Sequence, residues 1–505
     1  DWEWETFPEF LDAIERKEFV MDLGFMIGHG PVRSYVMGYD RCQNQVDASK
    51  DEINQMSEIV EKAINAGALG FSTSRTILHR DIHGVYVPGT EASSEEMKEL
   101  AFAVDRAGEG TLEIVSDWLD QEIEMSWMKE YVEKSDCGLT VLQTNGDSVK
   151  TILYCEEQFL KGKNVRPQFP GRNVGLMFGL ESSLHPFIGH PSYKDISHLP
   201  LNERLSIMRD PAFKQKILNE SPSFREDLQK AAKEQKSNKT KEEIKAEAEI
   251  GKKLISNYET QFILSDPPNY EPTREDSIAY LAEQRKQSEE EVIYDELIKD
   301  DGKSLIYACF TPYENHKLKF VETFYKLKSS VAGGSDGGAH CGLICDASMP
   351  TTNLSHWARD RSAGNKIPLE LIIRKQTKDT AETYGLFDRG EIKTGMIADI
   401  NIIDFEKLNV SLPKMIFDLP KGGKRLVQES FGYLATIKSG EVVYENGQAT
   451  GTLPGQVIRG KQTSEAKDTK EKISFYDRTV RLFIVKFLRL IWAARNKPVK
   501  STVIS

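Results

Sequence analysis

The chain lacks the marks of a disulfide-stapled, membrane-spanning or nucleotide-binding protein. Its six cysteines (Cys42, Cys137, Cys155, Cys309, Cys341 and Cys345) are scattered without a Cys-x-x-Cys pair, which argues against a disulfide framework and predicts reduced thiols. No uncharged apolar run reaches about 18 residues, so no spanning helix is predicted. Neither Gly-x-Gly-x-x-Gly nor the Gly-x4-Gly-Lys phosphate loop occurs. Positive charge is also short: 66 Lys and Arg against 78 Asp and Glu leave a formal net charge of -12, which predicts no nucleic-acid partner. The start of the chain has neither an initiator methionine nor a leader pattern. It opens on Trp2, Trp4 and Phe7, although chain ends are usually polar. The expectation is a cytoplasmic protein seen here as an N-terminally truncated piece of a longer sequence.

What is present is a long alternation of apolar strands and amphipathic helices. With 505 residues the chain exceeds one ordinary core, so a large α/β unit with a smaller companion is expected. Strand patterns fall at residues 21–27, 69–74, 112–116, 139–143, 174–180, 262–265, 305–309 and 330–333. Helical patterns fall at 51–66, 93–107, 120–133 and 316–328, the first placing Ile53, Met56, Ile59, Val60, Ala63 and Ile64 on one face. This rhythm predicts parallel βα units, and the strand number favours a TIM-type (β/α) barrel over 1–390, incomplete at its N-terminus. The Lys/Glu-rich run 231–249 interrupts it as a solvated helix or excursion. Over 391–462 short strands with Gly and Pro turns predict a small flanking β-domain. A polar linker and a basic amphipathic C-terminal helix complete the chain over 463–505. Within 478–495, Phe483, Ile484, Phe487, Leu490 and Ile491 oppose Arg478, Arg481 and Arg489. That helix is read either as docked on its own domain or as a peripheral membrane contact.

The richest local signal is Val331-Ala-Gly-Gly-Ser-Asp336-Gly-Gly-Ala-His340. Four glycines around one carboxylate allow close approach and positive φ, and such a carboxylate can bind a metal or move a proton. The alternative is a plain Asp-Gly turn. Because barrels place their sites at the C-terminal strand ends, polar residues there are collected with it. His29 follows the first strand, and Arg75, His79 and His340 join it as candidate substrate-binding groups. Asp117, Gln143 and Asn145 end the next strands. His185 and His190, each followed by proline, are candidate metal ligands beside Asp336.

These motifs resemble a known family. Gly67-Ala-Leu-Gly-Phe-Ser-Thr-Ser-Arg-Thr, Val87-Pro-Gly-Thr-Glu-Ala, the Asp336 turn, Thr380-Ala-Glu-Thr-Tyr-Gly-Leu and Gly395-Met-Ile-Ala-Asp-Ile-Asn-Ile-Ile-Asp are similar to the N-acyl-D-amino-acid deacylase branch of the amidohydrolase superfamily. The resemblance runs to about Gln462. It implies a hydrolase of carbon–nitrogen amide bonds acting on an acylated amino acid or similar small molecule. It also implies a divalent metal, zinc, that activates water, with Asp336 as general base. The family's His-x-His pair and cysteine ligand have no counterpart in the chain. Ser116/Asp117 and Gln143 stand where the family has histidines. A non-catalytic binding protein on the same fold is therefore the alternative, and a membrane-tethered scaffold a third reading.

Overall fold

The structure is a computed structural model and describes residues 2–81, 85–118, 120–143, 149–222, 255–338, 340–463 and 475–495. The charged run 231–249 and the strand-end Asn145 lie outside the described residues.

After a short strand β1 (Leu23–Gly24), the chain builds a parallel sheet from β2 (Ile27–Gly28), β3 (Gly70–Arg75), β4 (Thr111–Ser116), β5 (Gly138–Leu142) and β6 (Val165–Pro170). The intervening helices include α1 (Lys50–Asn65), α2 (Ser94–Ala107), α3 (Gln121–Lys134) and α4 (Val149–Leu160). Their starts are written in the sequence. Ser49 accepts from the Glu52 N–H while Glu52 accepts from Ser49 N–H at 2.8 Å, a capping box. Ser93 accepts from the Glu96 N–H in the same way, and the helix it begins ends on Gly108 at φ 80°.

The helices cover one face of the sheet. Phe71, Leu112, Ile114, Leu139 and Val141 are buried there against Met56, Val60, Leu100, Val104 and Met128. A fully buried side chain of this size contributes roughly 1.5–3 kcal/mol, so this face holds the sheet together. The opposite face is polar. Ser72, Glu113, Thr140 and Arg166 stand in register across β3 to β6. Tyr384 covers part of this row, its hydroxyl donating to Glu113 at 2.8 Å.

Beyond β6 the topology departs from the sequence reading. Only Gly171, Arg172 and Asn173 separate β6 from β7 (Val174–Phe178). A parallel crossover needs a dozen or more residues, so β7 cannot continue the sheet. With β8 (Gln261–Ile263) and β9 (Ile306–Thr311) it forms a separate antiparallel sheet in the order β7-β9-β8. One face of that sheet (Met177, Phe262, Tyr307, Cys309) packs in the cluster holding Tyr325 and Trp357. The other (Phe178, Ile306, Ala308) packs with Ile278, Val292 and Leu297. The chain returns through α5 (Lys319–Lys326) to β10 (Val331–Gly333), which pairs parallel with β6. The sheet order is β10-β6-β5-β4-β3-β2. Among the described residues it is an open six-stranded sheet, where a closed TIM-type barrel was expected; the three strands expected to close it pair with each other.

Residues 400–458 supply short antiparallel strands, Ile400–Ile403, Tyr433–Lys438, Glu441–Glu445 and Gln448–Ala449 among them. Leu408, Val410 and Leu426 from this stretch enter the same cluster as Trp357. The final helix α6 (Phe475–Arg495) lies on α4. Val485 is buried, Arg489 pairs with Glu157 and Arg481 reaches Glu156 at 4.0 Å, while Phe483, Ile484 and Leu488 are exposed. No described helix is long and apolar enough to cross a membrane.

A buried ion network locks the far side of the core. Arg361 grips Glu271 through Nε at 2.8 Å and Nη2 at 3.0 Å, and donates Nη1 to Glu322 at 2.9 Å. His356 and the Leu318 N–H add further bonds to Glu271. Burial would raise the Glu271 pKa, but these donors outweigh it and hold the carboxyl down from 4.5 to about 2. A carboxylate held below its unfolded value stabilises fully above pH 4.5 and loses that contribution as pH falls toward about 2. Glu271→Gln is therefore expected to cost about 2 kcal/mol at neutral pH. In urea unfolding the gap from wild type should shrink with acidification below pH 4.5; a gap independent of pH would contradict the assignment.

Candidate functional site

Parallel strands deliver their C-terminal ends to one edge, where ligands bind in open α/β sheets. At this edge β3 leads into Thr76 and His79, β4 into Asp117, β5 into Gln143 and β10 into Asp336 and His340. The Asp117 carboxylate is fixed by the Thr76 hydroxyl at 2.6 Å and the Ile77 N–H at 2.7 Å. Ser74 Oγ meets His79 Nδ1 at 2.6 Å. The rings of His79 and His340 lie 5.9 Å apart at 37°.

The glycine turn carries Asp336 out of the sheet. Gly334 sits at φ +80°, where a side chain is strained, and a Cβ on Gly333 would stand 2.9 Å from Gln168 Oε1, so Gln168 would have to shift to admit one. Asp336 and His340 themselves adopt φ 47° and 48°, a left-handed conformation uncommon outside glycine and concentrated at functional sites. Both side-chain positions are exposed. Gln143 ends β5 with its amide nitrogen and oxygen buried and without a protein partner.

The structure thus brings together Asp336, His79 and His340 and separates them from the other candidates. His29, expected to hold substrate, is 2% exposed. Its nitrogens are engaged by Thr73 at 2.9 Å and Glu96 at 2.8 Å, with Arg33 on the same carboxylate. Arg75 is likewise an internal strut: Nε binds Glu124 at 2.8 Å and Nη1 binds the Ala92 carbonyl at 2.9 Å. His185 and His190 follow β7 rather than a strand of the parallel sheet. With Asp336 they form no group of three or more side chains placed to hold a metal, among the described residues. Among the described residues no group of three or more His, Cys, Asp or Glu side chains converges as a metal site. Zinc sites use three or four protein ligands, so these residues do not fit the metal that the resemblance implies. The link residue Arg172 was not anticipated; its Nη2 binds the Cys345 carbonyl at 2.8 Å and Asp346 at 3.0 Å just beyond the glycine turn. Burial raises the Asp346 pKa to about 6, against the pull of Arg172.

Burial lowers the His79 pKa, His340 lowers it further, and Asp336 and Asp117 oppose both. His79 is consequently uncharged at neutral pH. In proton NMR titrations, His340→Gln is expected to move the His79 pKa up and Asp336→Asn to move it down. Two variants that leave it unchanged would break the grouping.

Comparison with known proteins bears on this edge directly. Residues 320–444, which contain Asp336 and His340, match the amidohydrolase family model. Over 99 residues the chain is 29% identical to the D-aminoacylase of Alcaligenes xylosoxydans xylosoxydans, a match spanning 20% of this chain and 18% of that enzyme. An uncharacterized protein of Mycobacterium tuberculosis is 20% identical over 473 residues, covering 89% of this chain and 72% of that one. Among solved structures, D-aminoacylase, studied for the role of its binuclear metal center, superposes with a TM-score of 0.51 at 17% identity, over 90% of this chain and 75% of that one. The N-acyl-D-glutamate deacylase of Bordetella bronchiseptica, complexed with zinc and a phosphonate inhibitor, gives 0.50 at 17% identity over the same shares. The chain is thus similar to the amidohydrolase family model over residues 320–444, and its fold is similar to that of D-aminoacylase.

Proposed function

We propose that the protein hydrolyses the carbon–nitrogen bond of a small N-acylated substrate, an acylated amino acid or similar amide, with Asp336 transferring the proton. The observation that carries this reading is the placement of Asp336. It is an exposed carboxylate in left-handed backbone just after β10, at the ligand-binding edge and within the family-matched segment. On this reading the six parallel strands are one arc of a (β/α) barrel.

Amide hydrolysis requires water to lose a proton as it bonds to the carbonyl carbon, and the departing nitrogen to gain one. One accessible carboxylate does both in turn. His79 and His340 beside it offer imidazole nitrogens to the polar groups of the substrate. A divalent metal such as zinc would supply Lewis-acid activation of water in such chemistry. The described residues present no ligand set for it, so the roles assigned here stay with this chain's own groups.

One observation favours a second reading, a binding protein of this fold without a competent metal centre: Gln143, its buried amide unpartnered, stands where the resemblance implies a histidine. Amine release from a panel of N-acetyl-D-amino acids, measured on chelator-treated and zinc-supplemented protein, separates the two. The hydrolase reading expects turnover that Asp336→Asn lowers about 10²–10⁴-fold in kcat with little change in KM. Asparagine is suited to the test because it tolerates the left-handed backbone. No turnover under either condition, with the protein folded, supports the binding reading.

A further inference from the structure

A cavity of about 250 Å³ opens between the segment following β7 and a hairpin of Lys414–Leu419 and Gly423–Val427. Its polar wall includes two cations, Arg204 and Lys424, and the neutral His185 and Ser182. Arg204 is fixed by donating Nη1 to the Leu180 carbonyl at 2.8 Å and the Tyr193 hydroxyl at 2.6 Å, and its Nε is buried without a partner. Lys424 donates Nζ to the Glu181 carbonyl at 2.7 Å. His185 is 1% exposed, and neither ring nitrogen has a partner; the buried Ser182 Oγ has none either.

Buried polar atoms in folded proteins are nearly always paired. Four unpaired ones on the wall of one cavity mark a site prepared for something polar. Burial first, then Arg204, His190 and Lys424, lower the His185 pKa to about 3. The ring is therefore neutral at physiological pH, with one N–H to donate and one nitrogen to accept. Burial and Arg204 also lower the Lys424 pKa, and Glu181 opposes them.

The charge balance selects the ligand. Two cations against the single acid on the lining, Glu181, leave one positive charge, which matches a monoanion. Leu180, Ile188 and Phe417 make much of the remaining wall apolar, which suits a short hydrocarbon body. The walls are stitched to the loop after Asp336. Ser183 N–H donates to the Gly342 carbonyl at 2.8 Å, and Leu426 N–H to that of Cys341 at 2.6 Å.

We propose that this cavity binds a small organic monocarboxylate, its oxygens held by Lys424, Arg204, Ser182 and His185 and its carbon chain by the apolar wall. The lining does not include Asp336, His79 or His340, and the proposal stands whether or not the hydrolase reading holds.

Isothermal titration of the full chain with sodium butyrate, butyramide and inorganic phosphate tests it. Butyrate is expected to bind at millimolar or lower concentration and to shift the His185 ring protons in NMR, with butyramide and phosphate markedly weaker. Lys424→Met and His185→Leu should each weaken butyrate binding about tenfold or more, the loss of one charge-assisted or buried hydrogen bond. Circular dichroism identifies folded variants, and the half-buried Lys424 position serves if His185→Leu fails to fold. The proposal is overturned if butyrate does not bind, if butyramide or phosphate binds as well, or if a folded variant binds butyrate like wild type.

Discussion

Arg172 is the residue on which this architecture turns. It sits in the three-residue link where the chain leaves the parallel sheet, fully buried, its guanidinium 3.6 Å from the centre of the Tyr270 ring. Its hydrogen bonds run to Cys345, Asp346 and Thr352. One cation thus ties β6, the segment beyond the glycine turn and the antiparallel sheet's packing layer. A buried charge persists only when its partners are complete. Asp346 Oδ2 is buried and unpaired, so even this clamp is not fully satisfied. The glycine turn that carries Asp336 is consequently anchored at both ends, by β10 before it and by Arg172 after it.

Buried charge serves two purposes in this protein, and the difference separates scaffold from site. In the His29–Glu96–Arg33 group and the Arg75–Glu124 pair each carboxylate meets its partners at 2.8 Å, with Glu96 Oε2, Glu124 Oε2 and Arg33 Nη1 left over. They position strands and helices. The wall formed by His185, Arg204 and Lys424 is open, with donors but, among the described residues, no carboxylate in ion-pair range. At the sheet edge, Asp336 and His340 are open in another sense, held toward solvent by strained backbone.

Much of this was legible in the sequence, and the misses have physical causes. Strands β3, β4, β5 and β10 and helices α1 to α3 follow from periodicity and capping residues, and they appear within a few residues of where the pattern put them. β6 was missed because Arg166, Pro167 and Pro170 disguise a strand that pairs on both edges; prolines argue against an interior strand. β7 reads as a barrel strand because Val174-Gly-Leu-Met-Phe has the right composition. Strand composition does not state direction, and only the three-residue link does. At the site, Asp336 and His340 are legible through glycine spacing and His79 through its place just after a strand end. The engagement of His29 and Arg75 is not, since their partners Glu96 and Glu124 lie a helix or more away in sequence. The cavity's Arg204 and Lys424 come from distant segments and carried no motif.

The short parallel pairing of β1 with residues 457–458 has a consequence for how the chain is made. Asp22 accepts a hydrogen bond from Gln456 N–H across 434 residues of sequence, and Arg389 also grips Asp22 at 2.6 Å. A polypeptide emerging N-terminus first must hold Leu23 and its neighbours unpaired until residues 456–458 have been synthesised. Such long-range closure slows assembly and leaves an apolar edge open meanwhile. The pairing of β1 with residues 457–458 is thus a late-closing seam of the fold.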